Sequence, residues 1–380
     1  MLGTIISLFH SLADQTGIAH FWWGNFVMIA IGLAMVFLAL IKKCEPFLLI
    51  GIGFSCIVVN VPGSDLILPG GLFNYAYQGV ALLIVPPLIF LGVGALTDFG
   101  PMIANPRLVI LGAGAHLGIF VALMLAKLIG FTLCEAGAIG IIGGADGPMA
   151  IFVTMKLAPH LLPQISVAAY SYMALMPIIQ PPVMRLLTSK KEREMGMAPM
   201  RKVTRLEKIL FPIIISMIVN LCFPPVAPLV TMLMLGNLLR ESLIIDRLAN
   251  TAGGPILNVI TLVLTVAIGS TMRADTFLTV KTLEIVSLGL VAFMVGTASG
   301  VLTAKLMNVF LKDGNKINPL IGSAGIASVP IAARVSHNEA LKANPRNFLI
   351  YHAMGPNLAG VFGTAISGGI LLALLGGYVH

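Results

Sequence analysis

The sequence predicts an all-α polytopic membrane protein of about ten spans with two opposed re-entrant helical hairpins, the inverted-repeat architecture of a transporter. Three observations predict it. Only 10% of the 380 residues are charged and 58% are hydrophobic, with a mean hydropathy of +0.99, where soluble domains carry roughly 25% charge. Apolar segments recur along the whole chain, separated by connectors that hold most of the Lys and Arg. Two stretches, 134–158 and 317–335, break the pattern: they are rich in Gly, Ala, Ser and Pro and carry polar residues where a span should be oily.

In chain order, apolar segments run near residues 22–42, 46–60, 79–96, 108–130, 165–187, 209–223, 226–239, 254–272, 284–311 and 347–378. A helical span needs about 20 apolar residues, so the segments at 209–223 and 226–239 are short for the task. Basic connectors are expected on the cytoplasmic side: Lys42 with Lys43, Arg107, the 190–208 loop, Arg240 with Arg247, and Lys312 with Lys316. They alternate correctly only if 134–158 enters from and returns to the outer face while 317–335 does the same from the cytoplasmic face. Opposed hairpins in the two halves are what an inverted repeat predicts, with the binding site where the broken helices meet. Each hairpin ends its small-residue tip in a proline, Pro148 or Pro330, and each is followed by a span with a central proline, Pro177 or Pro356. The chain therefore reads as one membrane domain over 1–380. Its first repeat is 79–187, its basic cytoplasmic loop 188–208 and its second repeat 254–378.

The net charge of +8 is concentrated in these connectors, densest at Lys190, Lys191, Arg193, Arg201, Lys202, Arg205 and Lys208. Topogenesis accounts for it, and no nucleic-acid partner is expected. The four cysteines, Cys44, Cys56, Cys134 and Cys222, form no CxxC pair, so neither a thiolate metal site nor a disulfide is indicated. The first 20 residues lack the basic start and cleavage site of a secretory signal.

The sharpest chemical feature is Gly143-Gly144-Ala145-Asp146-Gly147-Pro148. An acidic residue at mid-membrane costs about 2.5–3.5 kcal/mol on insertion scales. Its glycine and proline neighbours argue that the helix is interrupted there, freeing carbonyls and aiming Asp146 at a cavity rather than lipid. Oxygen ligands of this type suit Na⁺ or a proton. The second hairpin offers neutral oxygens from Asn318, Ser323 and Ser328, with Gly322 between them and Arg334 beyond. Small residues and hydroxyls also serve simply to pack helices. Asn357, next to Pro356, reads either as a ligand or as an interhelical hydrogen-bond partner, and Tyr172 either as an ion-site hydroxyl or as an interfacial aromatic. Arg334 suits bidentate recognition of a carboxylate or serves topology. His116, mid-span among glycines, is a candidate proton carrier or packing partner, and Lys156 a snorkelling residue.

With these residues in hand, the chain resembles the integral-membrane beta subunits of the Na⁺-pumping, biotin-dependent decarboxylases of oxaloacetate, methylmalonyl-CoA, glutaconyl-CoA and malonate. The resemblance runs from about Lys42 onward. It is carried by FLGVGALTDFGPMIANPR at 90–107, IGIIGGADGPMAIF at 139–152, AYSYMALMPIIQPPVMR at 169–185, GNLLRES at 236–242, INPLIGSAGIASVPIAARVS at 317–336 and NFLIYHAMGPNLAGV at 347–361. It implies that the chain decarboxylates carboxybiotin presented by a biotin-carrying carboxyltransferase subunit and exports Na⁺, with a proton consumed. A small membrane gamma-type subunit, a homo-oligomer within the complex and a bacterial inner membrane are implied with it. The family's essential aspartate falls on Asp146, its tyrosine on Tyr172, its second-hairpin Asn, Gly and Arg on Asn318, Gly322 and Arg334, and a later Asn on Asn357. Two positions depart from the family. Ala327-Ser328 stands where Ser-Ala is usual, which turns the hydroxyl about 100° on a helix, and Met149 replaces a threonine. The competing expectation is a Na⁺- or H⁺-coupled carrier of an organic anion that performs no decarboxylation.

Overall fold

The computed structural model describes residues 16, 17, 19–41, 46–312 and 314–378, and these are helical with no strand among them. Lys42, Lys43 and Cys44, with the stretch 1–15 on which the signal reading largely rests, lie outside the described residues. Six helical stretches are long and apolar enough to cross a bilayer: Trp23–Ile41, Pro106–Ile129, Pro159–Leu187, Asp246–Ser270, Val280–Phe310 and Ile350–Tyr378. The chain is thus an all-helical, multi-pass membrane protein.

Two groups of helices build it. The first contains α1 (Trp23–Ile41), α2 (Pro46–Val59), α3 (Leu72–Ala81) and α4 (Val85–Leu96), which later helices join. The expected segment at 79–96 is not one straight rod, because α3 and α4 are bent by 73° at a break. The cause is local: Pro86 and Pro87 occupy the first turn of α4 and have no N–H to donate backwards, so one helix must stop before the next begins. The second group starts with α5 (Val109–Ala115) and α6 (Leu117–Ile129), followed by the first hairpin, α7 (Leu133–Gly140) and α8 (Gly147–Leu157), and the long α9 (Leu162–Leu187). Helices α10 (Arg205–Cys222), α11 (Ala227–Ser242) and α12 (Leu257–Ser270) return to the first group, where α11 packs on α4 and α12 on α2. The chain then re-enters the second group through α13 (Val280–Phe310), α14 (Ile331–Ala343) and α15 (Ile350–Leu375). Helix α13 packs along α9, α6 and the second hairpin.

Side-chain caps mark several of these starts. Thr132 accepts from the Glu135 N–H while the Glu135 carboxylate receives the Thr132 N–H, a capping box that opens the first hairpin. Asp146 itself caps α8. Between α7 and α8 the chain tightens into a 3₁₀ turn, Ile141–Gly144, and Ala145 takes a left-handed conformation with φ +55°. The second hairpin differs from the pair of α-helices expected over 317–335. Its entering arm, Pro319–Gly325, is 3₁₀, because Pro319, Gly322 and Gly325 deny it a regular α ladder. Its returning arm, α14, runs on to Ala343.

The basic loop is fastened across one end of the helices. Ser189 and Glu192 form a capping box at residues 190–193. Burial pushes the Glu192 carboxyl up, but hydrogen bonds from Ser189 and Lys305 outweigh that and hold it below the usual carboxylate range. The Lys305–Glu192 tie is therefore present at neutral pH and lost as pH falls through that lowered value. Two buried amides clamp the same segment. Asn318 Nδ2 donates to the carbonyls of Arg193 (3.2 Å) and Met195 (2.7 Å), and Asn347 Nδ2 to the same two at 3.1 and 3.0 Å. Each bond contributes about 1 kcal/mol. Asn318→Ala, which removes two of them, is accordingly expected to speed tryptic cleavage within 190–205 about thirtyfold. A parental cleavage rate would show that the clamp does not hold the loop.

Candidate functional site

A cavity of about 390 Å³ lies between the two helix groups. Helices α2, α4 and α12 give it apolar walls, including Phe47, Ile89, Phe90 and Leu264, with Asn258 and Thr261 as polar points. The second group gives it Ala145 to Pro148, Tyr170, Met173 and Ala327 to Val329. Asp146 is 7% exposed. One of its carboxylate oxygens accepts the Met149 N–H at 3.1 Å, which aims the side chain along the first turn of α8. A helix N-terminus carries partial positive charge, so this placement offsets part of the cost of burying a carboxylate.

The two hairpins meet beside it. The Ala327 N–H donates to the Gly144 carbonyl at 2.9 Å, joining tip to tip. Thr364 Oγ1 stands 3.4 Å from the same carbonyl and 2.7 Å from His116 Nε2. Gly112 O accepts from His116 Nδ1, which places a proton on that nitrogen. His116 thus links α5 and α15 around the junction.

The residues singled out from the sequence divide between this cavity and its surroundings. Asp146 and Ser328 line it, and the Ser328 hydroxyl donates to Met176 Sδ at 2.9 Å. Asn357 is fully buried behind the second hairpin; its amide donates to Ala324 O (2.9 Å) and Ile326 O (2.8 Å), while Oδ1 has no partner among the described residues. Ser323 is tied to Leu320 O and Ser336 Oγ, with Gln180 Nε2 on its carbonyl. Asn318 is committed to the clamp on the basic loop, and its Oδ1 accepts from Leu320 N at 3.0 Å. Gly322 lies in backbone contact with Gly300 of α13. Tyr172 donates to the Val286 carbonyl and packs its ring, tilted by 45°, at 5.4 Å from Phe293, away from the cavity lining. Arg334 is exposed on the first turn of α14. Lys156 lies over the Phe152 ring at 4.7 Å and reaches Pro225 O.

Three polar cavity residues were missed from sequence: Tyr170, Asn258 and Thr261. For Tyr170 the sequence carries half a signal: it says that the two tyrosines of α9 face different ways, not which one faces the cavity. Two residues on a helix differ by about 200° in direction, so Tyr170 and Tyr172 cannot serve one site, and Tyr170 shares its face with Met173, which also lines the cavity. Asn258 and Thr261 gave no such signal, being scattered polar residues on an apolar span.

A family model described as the Na⁺-transporting oxaloacetate decarboxylase beta subunit matches residues 24–375. The chain is 53% identical to the glutaconyl-CoA decarboxylase subunit beta of Acidaminococcus fermentans, over 97% of both chains. It is equally 53% identical to the methylmalonyl-CoA decarboxylase subunit beta of Veillonella parvula, over 96% of this chain and 97% of that one. With the oxaloacetate decarboxylase beta chain of Klebsiella pneumoniae it shares 43% identity over 96% and 98%. A cavity walled by two helix groups, with a buried carboxylate where two broken helices touch, is thus found in a chain that belongs to the beta subunits of the Na⁺-transporting decarboxylases.

Proposed function

We propose that this beta subunit releases CO₂ from carboxybiotin presented by a biotin-carrying partner and couples the reaction to Na⁺ export through Asp146. The observation that carries the reading is the position of Asp146: a carboxylate capping a broken helix, facing a cavity to which both helix groups contribute. Such a site can exchange sides when one group moves against the other, as in transporters whose binding sites sit between repeats. The full architecture we infer is about ten spans with two hairpins inserted from opposite faces, in an inverted repeat of 79–187 and 254–378.

Na⁺ is the cargo and is held by oxygens. Asp146 supplies the charge, Ser328 a hydroxyl on the same cavity, and Asn357 an amide oxygen that has no partner within the described residues. Ser323, Asn318, Gly322 and Tyr172 act from the next layer, fixing the second hairpin and α9 against α13 and the loop. Arg334, exposed on α14, meets the carboxylate of carboxybiotin from the cytoplasmic side, where its fork suits bidentate binding. In the reaction the C–N bond breaks, CO₂ leaves and the ureido nitrogen takes up a proton; a proton that replaces Na⁺ on Asp146 is the natural source. Exporting one cation costs about 2.3 kcal/mol per 100 mV, so a favourable decarboxylation can drive one or two. The surrounding assembly comprises a carboxyltransferase subunit, a small gamma-type subunit and further copies of this chain, in a bacterial inner membrane.

Purified complex supplied with carboxybiotin carrier tests this directly. CO₂ release that rises with NaCl and is unmoved by KCl is the expected result. Na⁺-coupled uptake of an organic anion with no CO₂ release would establish the carrier reading in its place.

A further inference from the structure

We propose that Tyr170, which precedes the tyrosine singled out by resemblance on the same helix, is an oxygen ligand of the cation held at Asp146. The inference rests on Asp146 being the Na⁺ site and names a further group of that site. Tyr170 is 3% exposed, and its hydroxyl has no hydrogen-bond partner among the described residues. Buried hydroxyls nearly always have one, so a lone phenol in an otherwise apolar helix face points to a partner of another kind. Phenylalanine would fill the same space without leaving a polar atom unpaired.

The geometry around Gly147 shows where that partner sits. The Tyr170 ring lies on Gly147, the residue that follows Asp146: a Cβ built there would stand 2.4 Å from the ring's Cε1 and Cζ and 2.6 Å from the hydroxyl oxygen. A glycine at 147 is what lets the phenol come down onto the first turn of α8. Tyr170, Asp146 and Ser328 line one cavity. One Asp146 oxygen is occupied by the Met149 N–H, and the Ser328 proton is directed at Met176. Lone pairs on the second carboxylate oxygen, the serine and the phenol therefore remain for a hard cation, which takes oxygen ligands of mixed type. Tyr172 lies elsewhere: it is absent from the cavity lining, and its hydroxyl is turned to the Val286 carbonyl of α13.

The test measures thermal unfolding of the purified complex across a NaCl series at constant ionic strength, balanced with KCl, alongside CO₂ release. A ligand that binds only the folded state raises the melting temperature, and more so the tighter it binds. Tyr170→Phe is expected to leave the Na⁺-free melting temperature equal or higher, because an unpaired buried hydroxyl is removed. The Na⁺ concentration for half-maximal effect is expected to rise about tenfold in both measurements. A parental Na⁺ midpoint overturns the proposal. A lower Na⁺-free melting temperature, or failure of the variant to assemble, also overturns it, since either shows the hydroxyl to be structural. Asp146→Asn measured in parallel separates the two ideas. If it keeps the parental Na⁺ response, the site reading itself falls; if it loses the response while Tyr170→Phe keeps it, only Tyr170 is removed from the site.

Discussion

Asp146→Asn is expected to abolish Na⁺-dependent CO₂ release while leaving the protein folded. Asparagine caps a helix about as well as aspartate, so the bond from the Met149 N–H, 3.1 Å in the parent, survives the change. What disappears is the charge. A unit charge about 2.5 Å from a monovalent cation contributes roughly 7 kcal/mol at an effective dielectric of about 20. If the amide dipole returns half of that, Na⁺ binding still weakens by more than about a hundredfold. Burying the carboxylate has its own cost, about 2.5–3.5 kcal/mol, so the Na⁺-free variant should be as stable as the parent or more so. ²²Na⁺ flux in proteoliposomes and CO₂ release should fall together. Full Na⁺-stimulated turnover in the variant would sink the central claim.

Gly322→Ala is expected to have the largest effect on folding. A Cβ at 322 would lie 2.1 Å from the Gly300 carbonyl oxygen and 2.6 Å from its carbon, and one at 300 would lie 2.2 Å from the Gly322 oxygen. Both obstacles are backbone, one of them well inside the 31-residue α13. Neither can rotate away as a side chain would. Forcing α13 and the second hairpin apart costs about 3 kcal/mol or more, a large share of the roughly 5–15 kcal/mol that separates folded from unfolded protein. Gly322→Ala and Gly300→Ala should both accumulate poorly and lose the site together. If Gly322→Ala folded with parental stability and changed only the Na⁺ response, the glycine would be a ligand position rather than a contact point.

The apolar segments were legible in the sequence because a bilayer leaves no alternative to helix for so oily a chain. The helix break at Asp146 was legible too, since a charge flanked by Gly and Pro within an apolar run marks an interrupted helix. Phase and depth were not. Helix α9 is apolar or small on most sides, with only a modest polar bias, so nothing in its periodicity said whether Tyr170 or Tyr172 faced the cavity. Asn318 read as a cation ligand because an amide in a small-residue stretch has the right chemistry. That its donor would be taken by two carbonyls of a loop more than a hundred residues earlier in the chain depends on a fold that no local pattern encodes. The bend between α3 and α4 was within reach, as Pro86-Pro87 stands at its start.

The bond from Ala327 to Gly144 carries a consequence for biogenesis. Its partners belong to opposite halves of the chain, so the site is assembled from segments that leave the ribosome far apart in time. Until the last helices are inserted, Asp146 sits at a broken helix with no opposing tip, in a half-made protein whose small-residue faces are open to lipid and to other chains. Contacts between such distant segments form late and slowly. A nascent chain stalled before residue 327 therefore lacks one of the two tips that meet beside Asp146.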